Sequence, residues 1–371
     1  MGRSYLVVGG GTQGLVAARA LRSGPGRPSV AVVDSRPAPA GARFRWLQVD
    51  ATSPKVGRLA ADADACVVAL PGDLADAAVA RLARAGARVA DMSFVPEPVL
   101  PGLHRAARRS GAVVLRDMGV APGLSHVLAA ALHGELGGLD RLTVYVGGLP
   151  RTAPPGAFRH AVYFNPVDLI SEYTRPARLR RHGRDGRLDP LAPRHQKRLR
   201  DARVGGLEAF PSDGLRTLLT SFPECRDMIE LTLRWPGHLR EMRRLRAAGL
   251  LASGRGGAAP ALLTATALDE AFPGLEHPDL LLMEVHGRRA GRRAGYRLFD
   301  TGRAGLTAMS RTTAFTAAAA ARALANGRLL EPGLHPPERL GADPSARWAL
   351  LADLRRQGLR LGRRTLLRPA A

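Results

Sequence analysis

The sequence predicts an α/β protein. It has an N-terminal doubly wound parallel sheet, a second α+β domain with a mixed sheet, and a C-terminal segment returning to the first domain. Three observations lead there. In residues 5–21 an apolar run breaks on Gly9, glycines recur at 11 and 14, and apolar residues then take up helical spacing. Short apolar runs at 30–34, 44–50, 65–70, 88–92 and 112–117 then alternate with loops or helical stretches, as in doubly wound sheets. After residue 117 a Gly/Pro-rich turn ends this repeat, and alternating strands take over.

The run 5–8 reads as a buried strand. Gly9 permits the tight turn after it, Gly11 lets the backbone approach a pyrophosphate, and Gly14 lets the helix pack close to the strand. Phosphates would meet the unpaired N–H groups at the helix start, where the dipole favours negative charge. The run 30–34 ends in Asp34, twenty residues beyond Gly14, where a carboxylate meets the adenosine ribose. Together these form the Rossmann dinucleotide-binding unit, with Gly9, Gly11, Thr12, Gln13, Gly14 and Asp34 as cofactor-binding residues. A carboxylate accepts the ribose 2′-hydroxyl of NAD and repels the 2′-phosphate of NADP. NAD is therefore the expected cofactor, with Arg36 softening the preference.

The third strand, 44–50, places Asp50 at its carboxyl end, the side where nucleotides bind in open parallel sheets. A short helix at 55–63 precedes the fourth strand, 65–70, where Leu70 and Pro71 would border the phosphates and nicotinamide ribose. A helix at 74–85, the strand 88–92, a helix at 99–110 and the strand 112–117 complete the domain. Ser93 joins the cofactor set. Asp91 and Asp117 close their strands on the ligand side, as bases or as turn caps.

The expected division is 1–122 for the dinucleotide domain, 123–311 for the substrate and oligomerisation domain, and 312–371 for C-terminal helices that pack back. In the second domain a strand at 139–150 is joined by strands at 206–210, 228–234, 280–286 and 295–300, the last two forming a hairpin around Gly291. Helices follow at 312–325 and 348–358, and 254–257 reads as a glycine-rich linker.

A length of 371 residues accommodates two cores. No apolar run is long enough to span a membrane, and the first strand starts almost at Met1 without a signal pattern, so a cytoplasmic location is expected. Cys66 and Cys225, the only cysteines, make neither a disulfide framework nor a metal cluster. No His/Cys/Glu grouping has metal spacing, and no nucleophile elbow or Walker loop is present. The net charge of +23 is almost all arginine, since lysine occurs only at 55 and 197. Its clusters, at 178–187, 194–203, 240–246, 288–293 and 355–368, are scattered and poor in aromatics. That argues against a specific nucleic-acid partner, while weak polyanion binding and attraction of an anionic substrate are expected.

The stretches 146–150 (V-G-G-L-P), 164–177, 207–219 (with S-D-G-L-R-T-L-L), 228–238 (with T-L-R-W-P-G-H), 309–315 and 336–338 resemble the saccharopine dehydrogenase-like family. They are most similar to its NAD-dependent lysine 6-dehydrogenase branch. The resemblance covers nearly the whole chain. It implies a Rossmann domain closed by the C-terminal segment, a mixed-sheet second domain, a homo-oligomer and an amino-acid substrate. One position departs from the pattern: saccharopine reductases carry an aspartate in the turn that here reads 119–123, and this chain has Ala121.

Oxidising an amine requires hydride departure from carbon and a neutral nitrogen lone pair, with water then hydrolysing the iminium. Oxidation at the ε-carbon of L-lysine would give the semialdehyde, which closes to a piperideine carboxylate. Such a site needs a cation for the α-carboxylate and acids near the amino groups. Arg216 suits the carboxylate, or pairs structurally with Asp213. Asp213 is an ammonium contact, or an N-cap for a helix near Leu215. Arg234 and His238 would reach the cleft, His238 as proton acceptor or as a turn brace. Tyr163, Asn165, Asp168 and Thr217 complete the substrate set, while Glu172, Arg175 and Glu230 read as ion-pair members. Two other readings stand beside this one: reductive condensation of an aldehyde with an amine, as in saccharopine- or carboxyspermidine-forming relatives, and a non-catalytic NAD(H)-binding regulator.

Overall fold

The computed structural model describes residues 2–95, 100–252, 258–329, 331–363 and 367–369. The linker expected at 254–257 and the first residue of the helix expected at 99–110 lie outside them. The chain forms two compact units, Met1–Ala131 with Ser310–Leu359, and Leu132–Met309 with Arg360–Ala371.

The first unit holds a seven-stranded sheet. Six strands come in sequence: β1 (Ser4–Val8), β2 (Ser29–Asp34), β3 (Arg45–Gln48), β4 (Ala65–Val68), β5 (Arg88–Asp91) and β6 (Val113–Leu115). A seventh, Gly333–His335, lies on the edge beside β6, giving the order Gly333–His335, β6, β5, β4, β1, β2, β3. All neighbours are parallel. Parallel strands covered on both faces need apolar side chains throughout. Val7, Val8, Val32, Val33, Val67 and Val68 accordingly have no exposed surface. Helices Pro54–Ala61 and Pro344–Arg356 each start on a proline behind an N-cap, Ser53 and Asp343, whose side chain accepts first-turn N–H groups. Leu6, Val33, Val68, Val79, Leu82, Val89 and Val114 lie in one apolar core with helix residues Val56 and Leu103.

The second unit holds a ten-stranded sheet. Its strands are β7 (Arg141–Pro150), β8 (Ala177–Arg181), β9 (Arg184–Leu188), β10 (Lys197–Asp201), β11 (Gly205–Pro211), β12 (Asp227–Arg234), β13 (Asp279–Arg289) and β14 (Arg292–Thr301), with short C-terminal strands Leu361–Gly362 and Leu367–Pro369 at its two edges. β7 and β12 pair in parallel and their other partners are antiparallel, so the sheet is mixed. The β13–β14 hairpin turns at Ala290 and Gly291. Arginine-rich 178–187 and 194–203, read above for charge alone, contain the β8–β9 hairpin and β10. Helix Pro166–Thr174 is capped by Asn165, whose Oδ1 accepts from Val167 N and Asp168 N.

Candidate functional site

In the first sheet the strand order reverses between β1 and β4, and ligands of open parallel sheets bind beyond the carboxyl ends of the strands at such a point. The glycine turn after β1 is packed to its limit on one side. Gly9 has φ of +104°, and a Cβ there would lie 2.3 Å from Ala69 O. A Cβ on Gly14 would lie 1.8 Å from Gly9 O. Gly11 is different: a Cβ there would find no atom nearer than Arg36 Nη2, at 3.8 Å. Gly11 also begins helix Thr12–Arg22 without any side-chain cap, so the first-turn N–H groups face an open side, as a phosphate requires. Gln13 Nε2 donates to Ser310 Oγ over 3.3 Å, while its buried Oε1 has no partner among the described residues. The turn therefore fits a dinucleotide.

Asp34 ends β2 beside this turn. Its Oδ2 accepts from Gly10 N at 2.7 Å and Arg36 Nη2 at 3.1 Å, and its Oδ1 from Arg36 N at 2.9 Å and Arg36 Nε at 3.0 Å. Burial works to raise the affinity of this carboxyl for a proton, but the Arg36 and Gly10 bonds outweigh it and hold the carboxyl below its ordinary range. Leu70 N donates to Ser93 Oγ, and Ser93 N to Asp91 Oδ1. Asp91 is fully buried, 2.8 Å from Arg116 Nε. Burial pushes its carboxyl up to about 6 against the pull of Arg116. Asp117 is buried with φ of +57°, and Asp50 is exposed and holds Thr52. Pro71 precedes helix Gly72–Arg84.

The second unit gathers a buried polar layer on one face of β12, where strand alternation sets Glu230, Thr232 and Arg234 on the same side. The Arg234 guanidinium donates to Tyr173 Oη at 2.9 Å, to Glu172 Oε2 at 2.5 Å and to Leu233 O at 3.0 Å. It lies over the rings of Tyr173 and Phe210. The Phe158 carbonyl can only accept, so the one proton of the neutral His238 ring is on Nδ1, and Nε2 accepts from Tyr173 Oη, 2.8 Å away. Nδ1 donates to Phe158 O at 2.5 Å. Burial first, and Arg234 second, lower the ring to about 3, so His238 is a neutral brace between Tyr173 and the Phe158 carbonyl. His160, its ring 5.3 Å from that of His238, is buried with neither nitrogen partnered among the described residues.

Glu230 differs from its neighbours. Oε1 accepts from Ser212 Oγ at 3.1 Å, Thr232 Oγ1 donates on to Ser212 Oγ at 2.8 Å, and Oε2 has no hydrogen-bond partner among the described residues. Burial pushes this carboxyl up to about 8; the Ser212 bond opposes, and Glu172 and Asp213 reinforce. The other two acids are paired: Glu172 with Arg234, and Asp213 with Arg178 at 2.7 Å. Asp213 does not cap a helix, since the short helix Leu218–Ser221 starts behind Thr217. Arg216 is buried with φ of +45°. Tyr163 Oη donates to His277 O at 3.1 Å, and Asp168 lies in the first turn behind Asn165. Tyr173, Ser212, Phe158, His160 and Arg178 were absent from the expected set. Ser212 directly precedes the D-G-L-R run, and Tyr173 lies beside Glu172; neither neighbour suggested an interior hydroxyl.

Residues 119–359 match the saccharopine dehydrogenase C-terminal domain family. The chain belongs to that family. Among solved structures it is similar to an apo saccharopine dehydrogenase (L-Glu forming) from Saccharomyces cerevisiae, with 16% identity, 98% of this chain and 100% of that one covered, and a TM-score of 0.76. The shared feature at that identity is the fold, a parallel Rossmann sheet with a second, mixed sheet. A looser likeness is to the C. glutamicum DAP dehydrogenase in complex with DAP, with 12% identity, 92% and 96% coverage, and a TM-score of 0.47. No helix among the described residues is long and apolar enough to cross a membrane.

Proposed function

We propose that this member of the family is a nicotinamide-dinucleotide-dependent oxidoreductase that oxidises the ε-amine of L-lysine, or of a close amino-acid analogue, to the semialdehyde, which then closes to a cyclic imine. The observation that carries this reading is the uncapped helix start at Gly11, open where Gly9 and Gly14 are closed. Gly11, Thr12, Gln13 and Gly14 would hold the pyrophosphate, with the Asp34–Arg36 pair at the ribose. Bound there, the dinucleotide supplies the hydride acceptor.

Substrate recognition falls to the polar layer of the second unit. Arg216 is assigned the α-carboxylate, which a guanidinium matches bidentately. Amine oxidation also needs a group that takes a proton near neutral pH. Glu230 has an unpartnered oxygen among the described residues and a proton affinity raised towards that range, and Asp91 is raised to about 6. His238, with both nitrogens engaged, holds Tyr173 and through it Arg234.

Purified protein is expected to reduce the dinucleotide with L-lysine alone, releasing ammonia and the cyclic imine, followed by absorbance and mass spectrometry of the product. The family match supports a second reading, reductive condensation of an aldehyde with an amine. Oxidation of the reduced dinucleotide only when both an oxo acid or aldehyde and an amine are supplied, with no lysine turnover, would replace the first reading by the second.

A further inference from the structure

A carboxylate offers about four lone-pair positions, two on each oxygen. Asp34 has all four engaged: Arg36 N and Arg36 Nε on Oδ1, Gly10 N and Arg36 Nη2 on Oδ2. A ribose 2′-hydroxyl that came to donate to this acid would find no vacant acceptor position. The group presented instead is the guanidinium of Arg36. Its side chain is 67% exposed while that of Asp34 is 8% exposed. The guanidinium stands beside the glycine turn, with Nη2 the nearest atom to a Cβ placed on Gly11, at 3.8 Å. Its backbone is held as well, since Trp46 Nε1 donates to Arg36 O at 3.0 Å.

Two consequences follow. Pairing with Arg36 compensates the charge of Asp34, which removes the repulsion by which an unpaired acid rejects a 2′-phosphate. A planar guanidinium is also the side chain best matched to a phosphate monoester. The surroundings add positive potential, because Arg19, Arg22 and Arg43 line a cavity between the first helix and the loop before β3. We infer that Arg36 reads the 2′ position of the adenosine ribose, and that this chain takes the 2′-phosphorylated dinucleotide at least as well as the unphosphorylated one. The inference rests on the dinucleotide reading above and goes further than the sequence expectation, in which Arg36 only softened a preference for NAD set by Asp34.

The test is titration of the 371-residue chain with NADPH and with NADH at one fixed ionic strength, following nicotinamide fluorescence, for wild type and Arg36→Ala. The expected result is a wild-type Kd for NADPH no larger than that for NADH. Arg36→Ala should weaken NADPH at least tenfold more than it weakens NADH, shifting the ratio of the two Kd values towards NADH. A wild-type preference for NADH of tenfold or more that Arg36→Ala leaves in place would overturn the inference and leave the dinucleotide reading standing. Binding of neither dinucleotide to folded protein would remove both.

Discussion

Gly214 lies against the carboxyl group of Glu230 so closely that a Cβ at position 214 would sit 1.8 Å from Glu230 Oε1 and 2.3 Å from Oε2. The glycine of the S-D-G-L-R turn is therefore explained by a side chain sixteen residues further on. The space a methyl group would need is taken by a buried acid, which Ser212 holds from the other side.

Gly214→Ala should force that carboxyl to move, at a cost of about 1–3 kcal/mol typical of an overpacked core. In a Glu230→Ala background the same substitution should be nearly neutral, because the obstructing atoms are gone. Urea denaturation of the four proteins in a double-mutant cycle measures the difference. A coupling energy near zero would show that something other than Glu230 bounds the turn.

Glu230 also predicts a pH dependence of stability. Its folded-state carboxyl is pushed up to about 8 by burial, against about 4.3 for an unfolded glutamate. Between those values the folded protein holds a proton that the unfolded chain has released. Stability contributed at this site is thus greatest below the unfolded value and declines as pH rises through the window, by up to about 1.4 kcal/mol per pH unit. Glu230→Gln should abolish the decline. The slopes are compared between the two proteins over the same range, pH 5 to 8, so that the histidines, common to both, cancel. Equal slopes for the two proteins would mean that the acid is ionised in the fold.

His238 has the opposite sign. Burial and Arg234 hold the folded ring down to about 3, whereas an unfolded histidine takes its proton near 6.5. Stability is present in full above the unfolded value and is lost as pH falls towards the folded one. At pH 5 the imidazole nitrogen resonances should report a neutral ring protonated on Nδ1, the tautomer set by Phe158 O and Tyr173. An imidazolium signal at that pH would contradict the hydrogen-bond chain.

What was legible in the sequence tracks how local each feature is. Strands β1, β2, β4, β5 and β6 announce themselves because strands buried on both faces must be apolar, whereas edge strand β3 is only partly buried. The glycine cradle with Asp34 lies within thirty-odd residues. The seventh strand, Gly333–His335, is three residues long and carries no periodicity of its own. Strands β8 to β10 read only as arginine clusters because no local window shows where a guanidinium goes. Arg180 is buried only because Asp185 and the carbonyls of Leu219, Phe222 and Pro223 receive it. The polar layer behaves likewise: Glu172, Tyr173, Ser212, Arg234 and His238 come from three separate segments, and the motif letters left His238 as either proton acceptor or turn brace, of which its burial suits the brace. At Asp34 the acid was legible, but the four donors that occupy it were not.

The glycine turn allows fold and ligand binding to be separated by two substitutions of the same kind. A Cβ at position 14 would enter the space of the Gly9 carbonyl, 1.8 Å from its oxygen, and backbone cannot give way there as a side chain could. Gly14→Ala should therefore unfold or strongly destabilise the first unit, by more than the roughly 1–3 kcal/mol of ordinary overpacking. At position 11 the backbone is already in an ordinary extended conformation, with φ of −72°, and the nearest atom is 3.8 Å from a new Cβ. Gly11→Ala should keep the stability of the parent to within about 0.5 kcal/mol, as for substitutions away from packed features. Its methyl group would instead occupy the side from which a pyrophosphate must approach, lowering affinity for the reduced dinucleotide at least tenfold. Calorimetry of unfolding and fluorescence titration on both variants give the two readouts. If Gly11→Ala bound the dinucleotide as well as the parent, the open side of this turn would not be where the phosphates lie, and the proposed oxidoreductase would lose its main support.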